Sequence, residues 1–241
     1  MSSNFMPNAG DVISVIKRLG QQNAALELTN SFKEVVLRQD VNILEVNPDD
    51  ATFRATNIEM CAALENDVYL HNQSFPKPVM ARLKGLSLND GMLVLSDFVY
   101  KDTEWKERKH ERVRPKNPSY VTLRWNKKAL RAPIENISVS GMGVLAYKPV
   151  EKGMNLQPGS TLHLDFQLTP DHEYSGIKGA IIYQHPVGSC SVKLGIQLFP
   201  KASVAQSLEK YIEKRKREIL GELELLFLET SWPRGVEHLY F

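Results

Sequence analysis

A chain of 241 residues has room for two domains or one large domain, and its 42% apolar and 24% charged residues are ordinary for a globular protein. No apolar run approaches the roughly 20 residues that span a bilayer, and Met1–Gly10 lacks the pattern of a secretory signal. Cys61 and Cys190 are far apart and show neither CxxC nor metal-ligand spacing. We therefore expect a reduced, cytoplasmic protein without a metal centre.

The net charge of +2 conceals one strongly basic stretch. Between Lys101 and Arg131 the chain has eleven Lys or Arg residues and four Asp or Glu residues, a net charge of +7, so the rest of the chain is net negative. Positive charge concentrated in one place predicts an anionic partner there.

The first hundred residues predict a short helix followed by β-strands. Asp11 is a suitable N-cap for a helix to about Leu19, and Gly20 is expected to end it. Short apolar or alternating runs between turn residues then predict a small antiparallel barrel or sandwich with no visible chemistry. We assign residues 1–100 to this N-terminal, split-barrel-like domain. Its best candidate strands are residues 35–37, 41–46, 68–70, 79–83 and 92–95.

Residues 101–118 differ from both flanks. They are highly charged, contain Pro115 and Pro118, and have no apolar periodicity, so we predict a basic linker. On composition alone, its arginines could equally belong to a solvated hinge.

Residues 119–241 predict a second β domain that ends in a helix. Six candidate strands at this spacing are typical of a closed or nearly closed barrel. Ser203 could cap the helix, whose apolar face would pack on the barrel or bind a partner. The predicted fold is therefore mainly β: two small antiparallel barrel-like domains and a C-terminal α-helix. The second set of strands is residues 120–125, 130–137, 142–147, 161–168, 176–183 and 191–199, with turns at 126–127, 158–159, 170–171 and 186–188.

Motifs for catalysis are missing from the sequence. It contains no HExxH or paired-cysteine zinc pattern, no GxxxxGK[ST] or GxGxxG phosphate loop and no GxSxG elbow. We therefore expect neither an enzyme nor a cofactor.

The candidate site consists of two short patterns that follow one another. Arg108 and Arg112 are four residues apart, and an arginine fork can grip a phosphate and stack on a base. Asn136 and Ser138 offer short polar side chains, and Gly141 permits a positive φ or a close approach of a ligand. Taken alone, residues 136–141 could also be an Asx-type turn between strands.

Together the two patterns resemble the signature of the PilZ domain, RxxxR followed after some 20–30 residues by [D/N]xSxxG. The resemblance covers about residues 105–225, and the segment Lys193–Phe199 is similar to a late strand of that family. An N-terminal β domain joined by a linker with RxxxR also resembles the two-domain, flagellar-brake type of PilZ protein.

The resemblance implies a six-stranded PilZ-like barrel that is a receptor for the bacterial second messenger cyclic di-GMP. Arg108 and Arg112 would hold the phosphates and stack on guanine, while Asn136, Ser138 and Gly141 would contact a base and shape its pocket. Ordering the linker would reorient the domains and so regulate an unidentified protein partner, such as one in flagellar or secretion machinery, with motility, adhesion or exopolysaccharide as the output.

Two alternatives stay open. The barrel could be a ligand-independent PilZ-like scaffold. Intact motif residues argue against such a scaffold. The basic stretch, with aromatic residues such as Trp105, Tyr120 and Trp125, could instead bind single-stranded nucleic acid, which we expect less than the cyclic dinucleotide.

Overall fold

The computed structural model describes residues 9–101, 108–147 and 157–231. Most of the predicted N-terminal tail, Trp105 and the tail Trp232–Phe241 lie outside the described residues. The chain divides into two compact units, one of Met1–Phe32, Val36–Arg108 and Ile219–Phe241, the other of Lys33–Val35 and Lys109–Glu218. The proposed domain limits at 100 and 118, and the linker between them, stay a prediction.

The first unit contains a closed, six-stranded antiparallel barrel. Its strands are joined in the order β1-β2-β3-β6-β5-β4, and its core includes the fully buried Phe53, Leu70 and Leu95. The N-terminal helix contributes the buried Val12 and Ile16 to the same core. The elements are α1 (Ala9–Gln21), β1 (Leu26–Phe32), β2 (Val35–Val46), β3 (Asp50–Ala55), α2 (Ile58–Cys61), β4 (Asp67–His71), β5 (Val79–Ser87) and β6 (Met92–Tyr100).

Several details of this unit differ from the sequence prediction. Helix α1 begins before Asp11 and continues through Gly20, whose missing side chain leaves space for Ile43: a Cβ there would lie 3.1 Å from its Cγ2 atom. The two runs predicted at 35–37 and 41–46 form one strand, β2. Strand β1 was not predicted because polar Thr29 and Asn30 occupy buried positions, and Asn30 donates to the carbonyl of Ala63 at 3.1 Å.

The second unit contains the other closed barrel, which confirms the predicted six-stranded fold with a C-terminal helix. The strands are joined in the order β10-β11-β12-β9-β8-β7, all antiparallel. No described helix is long and apolar enough to cross a membrane. The elements are β7 (Tyr120–Trp125), β8 (Lys128–Ile137), β9 (Gly141–Tyr147), β10 (Thr161–Thr169), β11 (His172–Val187), β12 (Ser191–Phe199) and α3 (Ala202–Ser231), whose residues up to Glu218 belong to this unit.

Three strand ends in this barrel lie two or more residues from the predicted position, and one of them is the start of β11, at His172 instead of Gly176. Strand β8 starts at Lys128 because Asn126 and Lys127 form a two-residue turn with φ of 45° and 64°, after which pairing resumes at once. The turn predicted at Pro186–Gly188 is wrong: Pro186 and Val187 still pair in β11, and the chain turns at Gly188, where φ is +64°. Helix α3 begins at Ala202, so Ser203 lies inside it.

Candidate ligand site on the second barrel

An isolated backbone bridge fixes the arginine segment, which we define as residues 109–116, to the second barrel. Val113 and Ile137 exchange two hydrogen bonds: the Val113 amide donates to the Ile137 carbonyl at 2.9 Å, and the Ile137 amide donates to the Val113 carbonyl at 3.0 Å. Both side chains are fully buried. Burying a valine side chain contributes about 2 kcal/mol. The bridge therefore anchors residues on both sides of Val113.

This bridge joins the two halves of the sequence motif. Arg112 precedes Val113 and Ser138 follows Ile137, so this antiparallel bridge brings the backbone of Arg112 near that of Ser138. Arg112 is partly exposed, and among the described residues none forms an ion pair or hydrogen bond with its guanidinium group. Its five N–H donors are thus available to an anion beside Ser138.

Helix α3 holds the same segment from the other side. The side chain of Arg215 is only 4% exposed, and its Nε donates to the carbonyl of Arg114 at 3.0 Å. Its Nη1 pairs with Glu218 at 3.2 Å, and the neighbouring Lys216 pairs with Glu111 at the surface. A buried arginine needs such partners because an uncompensated charge is costly in the interior. The segment is therefore held between β8 and α3.

The first half of α3 packs closely on the barrel. Tyr174 of β11 and Ser207 share a hydrogen bond of 3.1 Å, and the rings of His172 and Tyr211 lie 5.7 Å apart between centroids. Burial raises the pKa of Tyr211 to about 12. The helix is thus a fixed support for the arginine segment.

Asn136 lies beside a β-bulge that turns its side chain onto the neighbouring strand. Strand β8 advances two residues, from Ile134 to Asn136, while β9 advances one, and Glu135 is the extra residue. Asn136 is 3% exposed, and its Oδ1 accepts a hydrogen bond from the Gly143 amide at 3.1 Å. A Cβ at Gly143 would lie 2.8 Å from that oxygen, so only glycine leaves room for the amide group.

Ser138 and Gly141 form the tight turn between β8 and β9. The amide and the hydroxyl of Ser138 both donate to the carbonyl of Gly141, at 2.8 and 3.1 Å. The φ of Gly141 is not positive, contrary to one of the two expected reasons for a glycine. The nearest atom to a Cβ there would be the Ile196 carbonyl oxygen, at 3.3 Å, so close packing favours glycine.

A row of small residues continues from Asn136 across the outer face of the barrel. Gly143 pairs directly with Gly195 of β12, and Tyr183 of β11 pairs with Gly195. The ring of Tyr183 covers Gly195 so closely that a Cβ would lie 2.1 Å from it, and it stacks on His185 with 5.1 Å between centroids. The Asn136 amide covers Gly143 and the Tyr183 ring covers Gly195, and we call the surface that these two side chains form the floor of the site.

A charged pair borders this floor. Lys193 Nζ lies 2.9 Å from a carboxylate oxygen of Glu135, the bulged residue, and this hydrogen bond raises the pKa of Lys193. The pair keeps Glu135 from presenting an uncompensated negative charge beside Asn136. The floor is thus compatible with an anionic ligand.

The structure brings four of the five predicted site residues together within the second unit: Arg112, Asn136, Ser138 and Gly141. Arg108 is partly buried and belongs to the first unit. Direct contact of all five with a ligand stays a prediction.

Sequence reasoning did not identify three further features of the site. Gly143 is visible in the sequence only as the second glycine of Gly-Met-Gly, whereas the Tyr183 ring and the buried Arg215 carry no local signal. Among the described residues, no group of three or more His, Cys, Asp or Glu residues could hold a metal ion.

Residues 106–214 match the family model described as the PilZ domain. The chain therefore carries a PilZ domain. The matched residues include the arginine segment and the first half of helix α3. PilZ domains bind cyclic di-GMP. No curated protein matches the chain.

Solved structures similar to the chain include the MrkH–c-di-GMP complex of K. pneumonia, at 14% identity over 86% of this chain and 95% of that one, with a TM-score of 0.46. YcgR in complex with c-di-GMP from Escherichia coli has 14% identity over 92% and 96%, with a TM-score of 0.43. The Bacillus subtilis inhibitor of motility MotI has 15% identity over 81% and 97%, with a TM-score of 0.40.

Proposed function

We propose that the protein is a cytoplasmic receptor for cyclic di-GMP. The observation that supports the proposal is the bridge between Val113 and Ile137, which joins the segment that carries Arg112 to the strand end that carries Asn136 and Ser138. The match of residues 106–214 to the PilZ domain supports the same ligand.

The chemistry of the ligand suits the groups around this bridge. Cyclic di-GMP has two phosphates and two planar bases. Arg112 offers a phosphate two parallel donors, and its flat face can stack on guanine. Lys109 and Arg114 on the same segment are exposed and add positive charge. Asn136, Ser138 and Gly141 shape the adjoining turn, and Arg108 supplies the first arginine of the signature.

Ligand binding would be transmitted through the arginine segment. Its anchors are the Val113 bridge and the contacts of Arg215 and Lys216 on α3. We propose that a ligand bound to this anchored segment changes the relative orientation of the two units and so regulates a protein partner in motility, adhesion or exopolysaccharide production.

Calorimetric titration tests the receptor function. We expect cyclic di-GMP to bind the wild type and to resist competition by GMP. We expect its affinity for Arg112→Ala to be at least about tenfold lower, because the substitution removes a charge-assisted contact. Arg131→Ala is the matched control, since Arg131 is an exposed arginine of the same barrel whose guanidinium lies over Tyr120. Absence of binding by a folded wild type would leave a ligand-independent scaffold.

Energy transfer between two dyes tests the change of orientation separately. One dye is attached to the exposed Cys190 in the second unit and the other to an introduced Gln73→Cys in the first. We expect saturation with cyclic di-GMP to change the transfer efficiency. An unchanged efficiency, with binding confirmed by calorimetry, would refute the reorientation while leaving the receptor function intact.

A further inference from the structure

A second cationic surface lies far from the candidate site. The β7–β8 hairpin carries Arg124, Lys127, Lys128 and Arg131, which belong to the basic stretch but not to the PilZ signature. Lys128 begins β8, whereas Asn136 lies near its end. Eight steps of extended chain separate the two residues by about 26 Å. The hairpin charges therefore need a different explanation from the ligand site.

The tip of this hairpin is a rigid projection. Asn126 and Lys127 have φ of 45° and 64°, the conformation of the two-residue turn that matches the twist of paired strands. Trp125 and Lys128 pair directly on either side of the turn. The lysines are consequently presented from a fixed backbone, which lowers the entropy that binding must overcome.

A cleft of about 540 Å³ runs along the hairpin. Its wall combines apolar surface with cationic and polar groups. The residues that matter here are Arg124, Trp125, Lys127, Lys128, Thr161 and His163. Such a cleft can take up an extended segment whose acidic side chains face the lysines.

The positive charge in this cleft is only partly compensated. Arg124 Nε lies 2.6 Å from Asp165, and this pairing lowers the pKa of the Asp165 carboxyl group. In the part of the chain that the structure describes, no acidic group forms an ion pair with Lys127 or Lys128. These two lysines are therefore the groups that attract an anionic partner.

Two observations narrow the chemistry of that partner. The guanidinium of Arg131 lies 4.6 Å above the ring of Tyr120, so this aromatic face is covered and does not offer a stacking platform for bases. The turn residues Asn126 and Lys127 are polar and exposed, and the neighbouring Trp125 is partly buried in the wall of the cleft, so the turn itself has no apolar side chain to insert into a bilayer. An acidic polypeptide matches both the two lysines and the apolar wall of the cleft, and nucleic acid stacked on Trp125 is the alternative that the test distinguishes.

We propose that the β7–β8 hairpin and its cleft are a docking surface for an acidic segment of a protein partner. Lys127 and Lys128 engage its carboxylates, and Trp125 packs against its backbone or aliphatic carbons. This surface is independent of cyclic di-GMP, so the two sites can be tested apart.

A labelled octaglutamate peptide is the probe. Its fluorescence anisotropy is followed with the full chain at about 50 mM salt, where surface charges are weakly screened. We expect Lys127→Glu with Lys128→Glu to weaken binding about tenfold or more. We also expect the peptide to change tryptophan emission in the wild type and much less in Trp125→Phe.

Lys210→Glu with Lys214→Glu is the matched control, because these exposed lysines of α3 give the same change in charge elsewhere on the second unit. An equal loss of peptide binding in the control would overturn the proposal, as would no loss in the hairpin variant. Tighter binding of oligothymidylate or of phosphatidylglycerol vesicles through the same two lysines would also overturn it, in favour of nucleic acid or membrane. Unchanged calorimetry with cyclic di-GMP checks that the hairpin variant is folded.

Discussion

Replacing Arg215 with methionine removes the buried link between α3 and the arginine segment while keeping most of the side-chain volume. The substitution deletes the bond from Nε to the Arg114 carbonyl, at 3.0 Å, and the pairing with Glu218, at 3.2 Å. A charge-assisted hydrogen bond contributes about 1.5–3 kcal/mol, and a partly exposed ion pair about 0.5 kcal/mol. Relief from burying the cation offsets about 1 kcal/mol, so we expect a net loss of about 2 kcal/mol.

Native-state hydrogen exchange measures this loss where it should occur. The amides of Val113 and Ile137 are hydrogen-bonded to each other's carbonyls, so both exchange only when the segment lifts from the barrel. A loss of about 2 kcal/mol predicts about 30-fold faster exchange of both amides in Arg215→Met. Strand β10, which does not contact the segment through this bridge, should change much less.

Arg217→Met provides the comparison, since Arg217 is exposed on the same helix and donates only to the Glu213 carbonyl at 3.5 Å. We expect the amide exchange rates of Val113 and Ile137 in Arg217→Met to match those in the wild type. If Arg215→Met accelerated these amides by less than about threefold, or no more than Arg217→Met, the buried arginine would not be what holds the segment.

Two further substitutions test the site floor and a surface pair. Gly143→Ala should lower the free energy of unfolding of the second barrel by about 1–3 kcal/mol, because the added Cβ would displace the Asn136 amide. Gly221→Ala should not lower the free energy of unfolding, because no atom lies within 4 Å of a Cβ at that position. Thermal melts of the two variants distinguish these outcomes. Asp165→Asn should cost about 0.5–1 kcal/mol in urea unfolding at neutral pH. Pairing with Arg124 lowers the folded-state pKa of Asp165 below 3.8. The stability difference between wild type and Asp165→Asn should therefore persist above pH 3.8 and vanish as the pH falls through the folded-state pKa. A stability difference that stayed constant down to strongly acidic pH would contradict the ion-pair explanation.

The overall fold was accessible from the sequence because strand periodicity and turn residues are local signals. Six runs from Tyr120 to Phe199 predicted the second barrel, and the two-residue turn at Asn126 and Lys127 was visible in the same way. Strand β1 was missed because it buries Asn30, whose side-chain NH2 group donates to the Ala63 carbonyl 33 residues away. A buried polar residue with a distant partner does not give an alternating pattern.

The candidate site was predictable as a set of residues but not as a geometry. Spacing alone associated Arg112 with Asn136 and Ser138. It did not reveal that the backbone of Arg112 lies near that of Ser138, because that depends on one bridge between Val113 and Ile137. Nor did it reveal that Asn136 binds the Gly143 amide, since this follows from a bulge at Glu135. Contacts between elements distant in sequence leave no local periodic trace.

The most direct test of the account is calorimetric titration of cyclic di-GMP into the wild type and into Arg112→Lys. Lysine keeps the positive charge at this position but loses the planar fork that can hold a phosphate bidentately and stack on guanine. We predict binding to the wild type and at least about tenfold weaker binding to the variant, with the barrel intact by circular dichroism. No binding to the wild type, or equal affinity for both proteins, would contradict the assignment of the site to Arg112.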